Sequence, residues 1–381
     1  MAPTTRTLIS PGRYVQGKGA IHRLGEHLTA LVSTPLIVAD DVVWGFAGHD
    51  VTTSLQDAGL PVTREPFGGV ATAAEVDRLT EVIRATGADV VAGIGGGSTI
   101  DAIKAAGHLA GIRWASCPTV ASTDAPCSAL AVIYTEAGEF EEYRFFPHNP
   151  DLVLVDSQVV ANAPAEFLVA GVGDALATWL EARATQRSNA TTMAGGLPTV
   201  TGTALARLSW DVLWENALPA IDAVRDHQVT PTVEKVIEAN TLLSGLGFES
   251  GGLAAAHAVH NGLTAVEATH GLAHGQKVNL GSLTQLVLEG APPDEIREFV
   301  EFTTTVGLPT TLLEVGLTRD DGDALRAVAD AATAKEETIH AMPFEVTSDD
   351  VVSALTSLDR LAARIRDTAK LPEPVRYVAA H

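Results

Sequence analysis

The sequence predicts an α/β domain followed by an all-α domain. Short apolar runs alternate with amphipathic helical stretches through the first ~160 residues, a pattern typical of α/β folds. From about residue 164 the apolar residues recur at helical spacing, and strand-like alternation nearly disappears. We therefore predict an α/β domain over residues 1–162 and an all-helical domain over residues 163–381.

The first domain is predicted to hold a mostly parallel, Rossmann-like sheet, because its strands alternate with helices that can cover both faces. The predicted strands are 35–40, 89–94, 114–117 and 152–155, and the predicted helices are 74–86 and 98–109. Two further apolar runs, 129–135 and 141–146, flank the turn-like segment 136–139. This arrangement predicts a hairpin inserted in the sheet.

The second domain is predicted to be helical throughout. Its clearest helical stripes cover 164–185, 200–224 and 231–246, and helices with short Pro or Gly breaks follow from 292 to 366. No low-complexity linker lies between the two domains, and the sequence shows no internal repeat. Two domains that meet directly predict a cleft between them, where small-molecule sites are common.

Composition excludes several classes of function. The chain has 25 Lys and Arg against 47 Asp and Glu, a formal net charge of −22, which repels nucleic acids and anionic lipid surfaces. Two cysteines make neither a disulfide scaffold nor a cysteine-rich zinc site. The sequence contains no apolar run of membrane-spanning length, and we expect no secretory leader because the first residues lack an apolar stretch of that type. We expect a cytoplasmic protein that binds neither nucleic acid nor membranes.

A glycine cluster, Gly93-Ile-Gly-Gly-Gly-Ser98, joins a predicted strand to a predicted helix. Glycines let the backbone approach a ligand, and the helix N-terminus favours an anion such as a pyrophosphate. Ser98 or Thr99 is expected to cap the helix, with Asp101 in its first turn. The alternative is a tight turn that binds nothing. The pattern is not the G-x-G-x-x-G fingerprint, although Asp40, at the end of a strand, could accept hydrogen bonds from a ribose.

Four of the 12 histidines lie between residues 257 and 274. His257 and His260 are three residues apart, and His270 and His274 are four apart, so each pair is expected to share a helix face. Neutral imidazoles suit zinc and other first-row metals. The alternative is a set of buried, hydrogen-bonded histidines without a metal.

A catalytic metal also commonly takes a carboxylate ligand. The candidates are Glu249, Glu267 and Asp174, the last within a long apolar stretch where an unpaired charge would be costly. Asp174 could instead stabilise a helix start. The spacing of these residues leaves the choice of ligands open.

The glycine motif, Gly95 to Asp101, resembles the cofactor motif of the metal-dependent, iron-containing alcohol dehydrogenase superfamily. Further segments resemble the glycerol dehydrogenases within it, over about residues 7–365. These segments are 118–129, 132–139, 173–179, 236–240 and 247–262.

This resemblance implies an NAD-dependent, zinc-containing polyol dehydrogenase whose metal is held by Asp174, His257 and His274. His260 and His270 would then lie near the metal or line the substrate pocket without binding the metal. Iron-dependent relatives place a fourth ligand, a histidine, where this chain has Thr178. Three ligands with an open position fit catalytic zinc.

The resemblance also assigns roles to residues of the first domain, where Asp124 would hydrogen-bond the polyol. For the path by which the proton leaves, the candidates are His260 and a chain of water molecules. The residues implied to bind the cofactor are Asp40, Gly95, Gly96, Gly97, Ser98, Asp101, Thr119, Ser122, Ser128, Leu130 and Tyr134. The carboxylate of Asp40 favours NAD over NADP, because it would repel a 2′-phosphate. A homo-oligomer is implied as well, an octamer being one such state.

Two departures from the family pattern affect residues expected near the cofactor and the substrate. Ser98 replaces the lysine that glycerol dehydrogenases usually carry, and Leu272 and Ala273 replace two tyrosines before the last metal ligand. We expect oxidation of glycerol or a related vicinal diol to the hydroxyketone, with 1,2-propanediol or 2,3-butanediol used at least as well as glycerol.

Two alternatives compete with this function. A phosphorylated polyol would need cations, but Lys277 is the one Lys or Arg between residues 238 and 281. A catalytically inactive protein of the same fold would be expected to lack a metal ligand, and all three ligands are present.

Overall fold

The computed structural model describes residues 4–136 and 140–377. The chain folds into two compact units. The sheet unit consists of Ile9–Ala165 and Asp222–Gly245. The helical unit consists of the chain up to Leu8, Glu166–Ile221 and the chain from Leu246 onward. The division into domains 1–162 and 163–381 stays a prediction.

The sheet unit contains a six-stranded sheet in the order β1-β8-β5-β4-β2-β3, and every pair of neighbouring strands in it is parallel. Two further strands, β6 and β7, form a separate antiparallel pair. The strands are β1 Tyr14–Gly17, β2 Pro35–Ala39, β3 Thr63–Pro66, β4 Val90–Gly95, β5 Arg113–Pro118, β6 Leu130–Tyr134, β7 Phe140–Phe145 and β8 Leu152–Asp156.

The predicted α/β fold followed by helices is confirmed. The four predicted strands are β2, β4, β5 and β8, which form the interior of the sheet. Sequence patterns missed β1 and β3, the two edge strands. Their residues are half-buried or exposed, so they lack the apolar runs that mark a strand covered on both faces.

The predicted hairpin exists, but its predicted insertion in the main sheet is wrong. Its strands pair with each other, with a register irregularity between Ile133 and Tyr134, and form their own sheet. Residues 137–139 of the predicted turn lie outside the described residues. Ala131 and Ile133 are buried in the core on one face of the main sheet, so the hairpin covers that face rather than extending an edge.

Alternate residues of β2 enter two different cores. Ile37 and Ala39 pack with the first two helices of the unit, and Leu36 and Val38 pack with the next two. The helices of the chain are α1 Leu24–Thr29, α2 Asp41–Asp57, α3 Ala73–Thr86, α4 Gly97–Ala110, α5 Ser157–Asn162, α6 Ala165–Ser188, α7 Val200–Arg225, α8 Pro231–Glu238, α9 Ser244–Gly251, α10 Ala255–Thr264, α11 His274–Leu288, α12 Pro293–Val306, α13 Gly322–Ala332 and α14 Ser348–Ala369. Among the described residues, no helix is both long and apolar enough to cross a membrane.

The predicted helix 231–246 is not a single regular helix. A π-helical segment, Ala239–Leu243, lies between α8 and α9. A π-helical turn takes an extra residue, so it rotates the next side chains relative to an unbroken α-helix. The segment therefore changes the direction of Ser244, the next residue of the sheet unit.

Candidate active site

A cluster of three potential metal ligands forms in the helical unit, where α6, α10 and α11 supply Asp174, His257 and His274. Their donor atoms all lie within 4.8 Å of one another. Asp174 Oδ1 is 3.3 Å from His257 Nε2 and 3.1 Å from His274 Nε2. Within the described parts of the chain this is the one such group of His, Cys, Asp and Glu. The structure thus brings together the residues that the resemblance implied as ligands.

Glycines allow the three helices to approach closely enough to form this cluster. A methyl group on Gly275, next to His274, would lie 1.7 Å from the carbonyl oxygen of Ala170, one turn before Asp174. A methyl group on Gly281 would lie 2.2 Å from the carbonyl oxygen of Ala256. Because neither position has room for a side chain, α11 contacts the backbones of α6 and α10 directly. These contacts set the distance between the ligands.

Glu181, which is not among the residues predicted for the site, holds His257 in place. Its Oε2 is 2.5 Å from His257 Nδ1, and its Oε1 accepts hydrogen bonds from the backbone N–H groups of Ala254 and His257. With the proton on Nδ1, Nε2 faces Asp174 and carries a lone pair that can bind a metal. The available signal was the spacing: Glu181 follows Asp174 by seven residues, two helical turns along the same apolar face.

The two carboxylates control the charge of this cluster. Burial opposes a charged Asp174, but the charge of His274 and hydrogen bonds from His257 and His274 outweigh burial and lower the pKa of Asp174. Burial likewise favours a neutral His257, but the charge of Glu181 and hydrogen bonds to Asp174 and Glu181 raise its pKa well above the ordinary value. Two buried anions therefore surround the imidazoles, an environment that attracts a cation.

His260 lies beside the cluster, with its ring centroid 4.2 Å from that of His274. The amide of Asn261 donates to Glu337, at 3.0 Å from Oε2, so its carbonyl oxygen accepts from His260 Nδ1 at 3.0 Å. These partners place the His260 proton on Nδ1. Burial, followed by the charges of His274, Lys277 and His257, holds the pKa of His260 well below its ordinary value, so the ring is neutral.

The remaining candidates lie apart from the three ligands. The expectation that His270 and His274 share a helix face is wrong, because His270 follows a short 3₁₀ helix and bonds the carbonyl oxygen of Thr264 at 2.9 Å, while His274 begins α11. Glu249 is buried on α9 and Glu267 is exposed, and neither belongs to the ligand group. Leu272 is buried, whereas Ala273 is exposed at the N-cap of α11.

In the sheet unit, the glycine turn joins β4 directly to α4. Gly96 is the N-cap, and α4 begins at Gly97 without a side-chain cap, so the predicted capping by Ser98 or Thr99 is wrong. Asp101 also lies beyond the first turn. A methyl group on Gly95 would lie 2.4 Å from Thr99 Oγ1, which explains glycine at that position. The first backbone N–H groups of α4 are the donors that the turn offers to an anion.

Two residues implied to bind the cofactor make internal contacts. Asp101 Oδ1 is 2.9 Å from Lys104 Nζ, and both side chains are buried. Lys104 Nζ also donates to the carbonyl oxygen of Ala125 at 2.9 Å and contacts Ser128 Oγ at 3.3 Å. The Ser128 side chain is fully buried. Their roles toward a cofactor stay predictions.

Three of the other cofactor candidates, Asp40, Thr119 and Ser122, follow the carboxyl ends of β2 and β5. Asp40 is the N-cap of α2, and its carboxylate accepts from the N–H of Val43 at 2.8 Å. The N–H of Thr119 donates to the carbonyl oxygen of Gly95 at 3.0 Å, which fixes the segment after β5 beside the glycine turn. Ser122 is half-buried in the same segment, and Leu130 and Tyr134 begin and end β6.

Asp124 lies on the loop between β5 and β6, just before the 3₁₀ helix Ala125–Cys127, and is 8% exposed. Ser244 Oγ donates to its Oδ2 at 2.6 Å, and the amide of Asn240 donates to the carbonyl oxygen of Ala121 at 3.0 Å. Ser244 is not among the residues predicted for the site. Its position depends on the π-helical segment, which the apolar pattern does not show.

The sequence matches the family model for iron-containing alcohol dehydrogenases over residues 11–157. A glycerol dehydrogenase of Escherichia coli is 52% identical over 359 residues, covering 94% of this chain and 98% of the relative. The chain belongs to the iron-containing alcohol dehydrogenase family. As a member of this family it is an oxidoreductase.

Other members of the iron-containing alcohol dehydrogenase family are similar over nearly the whole chain. A glycolaldehyde reductase of Halobacterium salinarum is 48% identical, covering 95% of this chain and all of the relative. The crystal structure of a glycerol dehydrogenase from Schizosaccharomyces pombe superposes with a TM-score of 0.94 at 38% identity, covering 99% of this chain and 96% of that one. The family fold therefore extends through both units.

Proposed function

We propose that this protein is an NAD-dependent, zinc-containing dehydrogenase that oxidises glycerol or a related vicinal diol to the hydroxyketone. The observation that carries the proposal is the cluster of Asp174, His257 and His274 in an oxidoreductase fold. Relatives named glycerol dehydrogenase and glycolaldehyde reductase support the substrate class. Glycerol and glycolaldehyde both carry oxygen on adjacent carbons, which favours a substrate with two neighbouring oxygens.

The ligand set fits a first-row divalent metal. One carboxylate and two imidazoles are the donors that such ions take in catalytic sites, and three protein ligands leave a position open for substrate. Thr178, fully buried one turn after Asp174, offers no imidazole as a fourth ligand. This donor set supports zinc.

When bound, the metal supplies Lewis-acid character that lowers the pKa of an alcohol, and NAD supplies the hydride acceptor. The chain supplies positioning. Asp174, His257 and His274 would hold the metal, and Glu181 keeps the donor nitrogen of His257 directed at it. Asp124 would accept a hydrogen bond from a second hydroxyl of the substrate.

His260 would take part in proton removal at Nε2. Its partner Asn261 keeps the proton of the neutral ring on Nδ1, so Nε2 presents a lone pair. The same ring contacts His274 and therefore lies next to the proposed ligands.

NAD is favoured over NADP by Asp40. Its carboxylate lies at the start of α2, where one hydrogen bond from Val43 already orients it. A carboxylate in that position accepts from ribose hydroxyls and repels a 2′-phosphate. The glycine turn would hold the pyrophosphate at the N-terminus of α4.

A second candidate substrate is a smaller or less polar diol than glycerol. Leu272 and Ala273 offer no hydroxyl to a third hydroxyl group of the substrate, and a relative at 48% identity is named for glycolaldehyde. An apolar wall discriminates by only about 1–3 kcal/mol per methylene, so preference among diols is expected to be broad. A cytoplasmic location and a homo-oligomer stay predictions.

The test is a substrate and cofactor panel with metal analysis. Purified protein is assayed for reduction of NAD and NADP with glycerol, 1,2-propanediol, 2,3-butanediol and 2-propanol. We expect zinc in the protein and diol oxidation with NAD. A preference for NADP would contradict the role of Asp40, and a preference for 2-propanol would contradict the two-hydroxyl substrate.

A further inference from the structure

We propose that Ser244 is a positioning residue that orients the Asp124 carboxylate and thereby sets the affinity for substrates with two hydroxyls. This inference rests on the proposed function, in which Asp124 binds the second hydroxyl. Ser244 Oγ donates to Asp124 Oδ2 at 2.6 Å, and the Ser244 side chain is fully buried. A short bond from a buried hydroxyl to a carboxylate fixes the rotation of that carboxylate.

The π-helical segment Ala239–Leu243 brings Ser244 to this position. Ser244 is the residue directly after it and the first residue of α9. One extra residue in a helix rotates the next residues by about 100°, so an unbroken α-helix would direct Ser244 elsewhere. π-Helical turns occur frequently at functional sites, where they redirect a side chain in this way.

Two neighbours of Ser244 show that the helix is fitted to the Asp124 loop. Asn240, within the π-helical segment, donates to the carbonyl oxygen of Ala121 at 3.0 Å. A methyl group on Gly245 would lie 2.8 Å from Cys127 Cβ and 3.2 Å from the carbonyl oxygen of Asp124. Glycine at that position lets the helix backbone approach the loop, and Ser244 is held at hydrogen-bonding distance as a result.

Other residues already fix the backbone of the loop. Lys104 Nζ donates to the carbonyl oxygen of Ala125, and Asn149 donates to that of Cys127 at 2.8 Å. These bonds hold the main chain on either side of the 3₁₀ helix but do not act on the Asp124 carboxylate. Ser244 bonds the carboxylate itself, so its loss is expected to change the side-chain orientation more than the fold.

The experiment compares Ser244→Ala with wild type on 1,2-propanediol and on 2-propanol, each with NAD. Because the lost hydrogen bond is made to a charged carboxylate, we expect the KM for the diol to rise about tenfold or more. The kcat for the diol is expected to change much less. The KM for 2-propanol should stay within about twofold, because that alcohol has no second hydroxyl for Asp124 to bind.

Ser157→Ala is the matched control. Ser157 is also fully buried in the sheet unit, and its Oγ donates to Glu234 Oε1 at 2.6 Å and not to Asp124. The Ser157→Ala substitution removes the same kind of hydrogen bond as Ser244→Ala, so a general loss of stability would affect both variants alike. We expect the Ser157→Ala enzyme to keep the wild-type KM for the diol.

Further variants complete the test. Ser244→Thr keeps the hydroxyl and should restore the low KM, while Ser244→Cys keeps the size with a weak donor and should not; this pair also serves if the alanine variant fails to fold. Adding Ser244→Ala to Asp124→Asn should raise the diol KM no further. Equal KM changes for diol and 2-propanol, or additive effects of the two substitutions, would overturn the role of Ser244. A wild-type enzyme inactive on every diol would instead overturn the proposed function.

Discussion

At the scale of single residues, buried hydrogen-bonding partners orient three groups of the candidate site. Glu181 orients His257, Asn261 fixes the tautomer of His260, and Ser244 holds Asp124. All three partners are buried, so their polar atoms bond to the protein and not to water. Such partners determine how accurately a ligand or substrate atom is held.

Replacing Glu181 tests this principle at the metal cluster. Glu181→Gln keeps the shape but weakens the bond to His257 Nδ1, so zinc affinity should fall about 10–100-fold. The measurement is zinc retention during titration with a chelator. Glu249→Gln, which changes a buried glutamate outside the ligand group, is the control and should retain zinc. Equal zinc loss from both variants would show that Glu181 has no special role.

The family resemblance implied the three residues of this cluster but not their partners, and the spacing of the residues alone left the choice of ligands open. Charged groups in apolar surroundings are unusual, which made Asp174 one candidate among several carboxylates. Glu181 shares an apolar helix face with Asp174, but only the fold shows that it is fully buried beside His257. Ser244 could not be found, because an unbroken helix was predicted through a segment that contains a π-helical turn.

At the scale of helices and strands, close backbone contacts position the site. The interior strands of the sheet were predictable from their apolar runs, whereas the edge strands β1 and β3 were not, because solvent covers part of them. The close contact between α6 and α11 could not be predicted from the sequence either, because it depends on Gly275, and the pattern of apolar residues takes no account of glycines.

Gly275→Ala tests the helix contact. The added methyl group would meet the Ala170 carbonyl oxygen at 1.7 Å, so α6 and α11 must separate and His274 must move away from Asp174. We expect zinc content to drop and the midpoint of thermal unfolding to fall. Gly322→Ala, at a helix start with open space around it, is the control and should behave as wild type. Unchanged zinc content in Gly275→Ala would contradict the argument.

The carboxylate of Asp89, just before β4, accepts hydrogen bonds from the segment just before β2, and this contact can be tested by its pH dependence. Burial disfavours its charge, but hydrogen bonds from Ser33 and Thr34 outweigh burial and lower the pKa of this carboxyl. A lowered folded-state pKa stabilises the protein above the unfolded value of about 3.9, and this stabilisation is lost as pH falls through the folded value. Asp89→Asn should therefore lower the unfolding temperature at pH 7, and the difference from wild type should shrink below about pH 4. A difference that stays constant with pH would contradict this linkage.

At the scale of the whole molecule, the charge of −22 is the dominant electrostatic feature. Like charges repel in the compact state, and salt screens that repulsion over about 10 Å at 0.1 M. We expect the unfolding temperature to rise when sodium chloride increases from low concentration to about 0.5 M. Sucrose at matched osmolality separates screening from exclusion effects. An unfolding temperature independent of salt would show that the acidic groups are already paired or well separated.

Beside this overall charge, two buried carboxylates at the candidate metal cluster favour the binding of a cation. Asp174 and Glu181 are both buried in the helical unit, and their charges are compensated there by imidazoles. A divalent metal would replace protons on those imidazoles and is expected to stabilise the folded state increasingly as its concentration exceeds its Kd.

The most direct test of the central claim is a zinc titration of metal-depleted protein, read as the rate of NADH formation from 1,2-propanediol. The arrangement of Asp174, His257 and His274 predicts that activity is absent without metal, rises with added zinc and levels off at one zinc per chain. His274→Ala should stay inactive throughout the same titration. Full activity in metal-free protein, or zinc-dependent activity retained by His274→Ala, would contradict the claim that these three residues form a catalytic metal site.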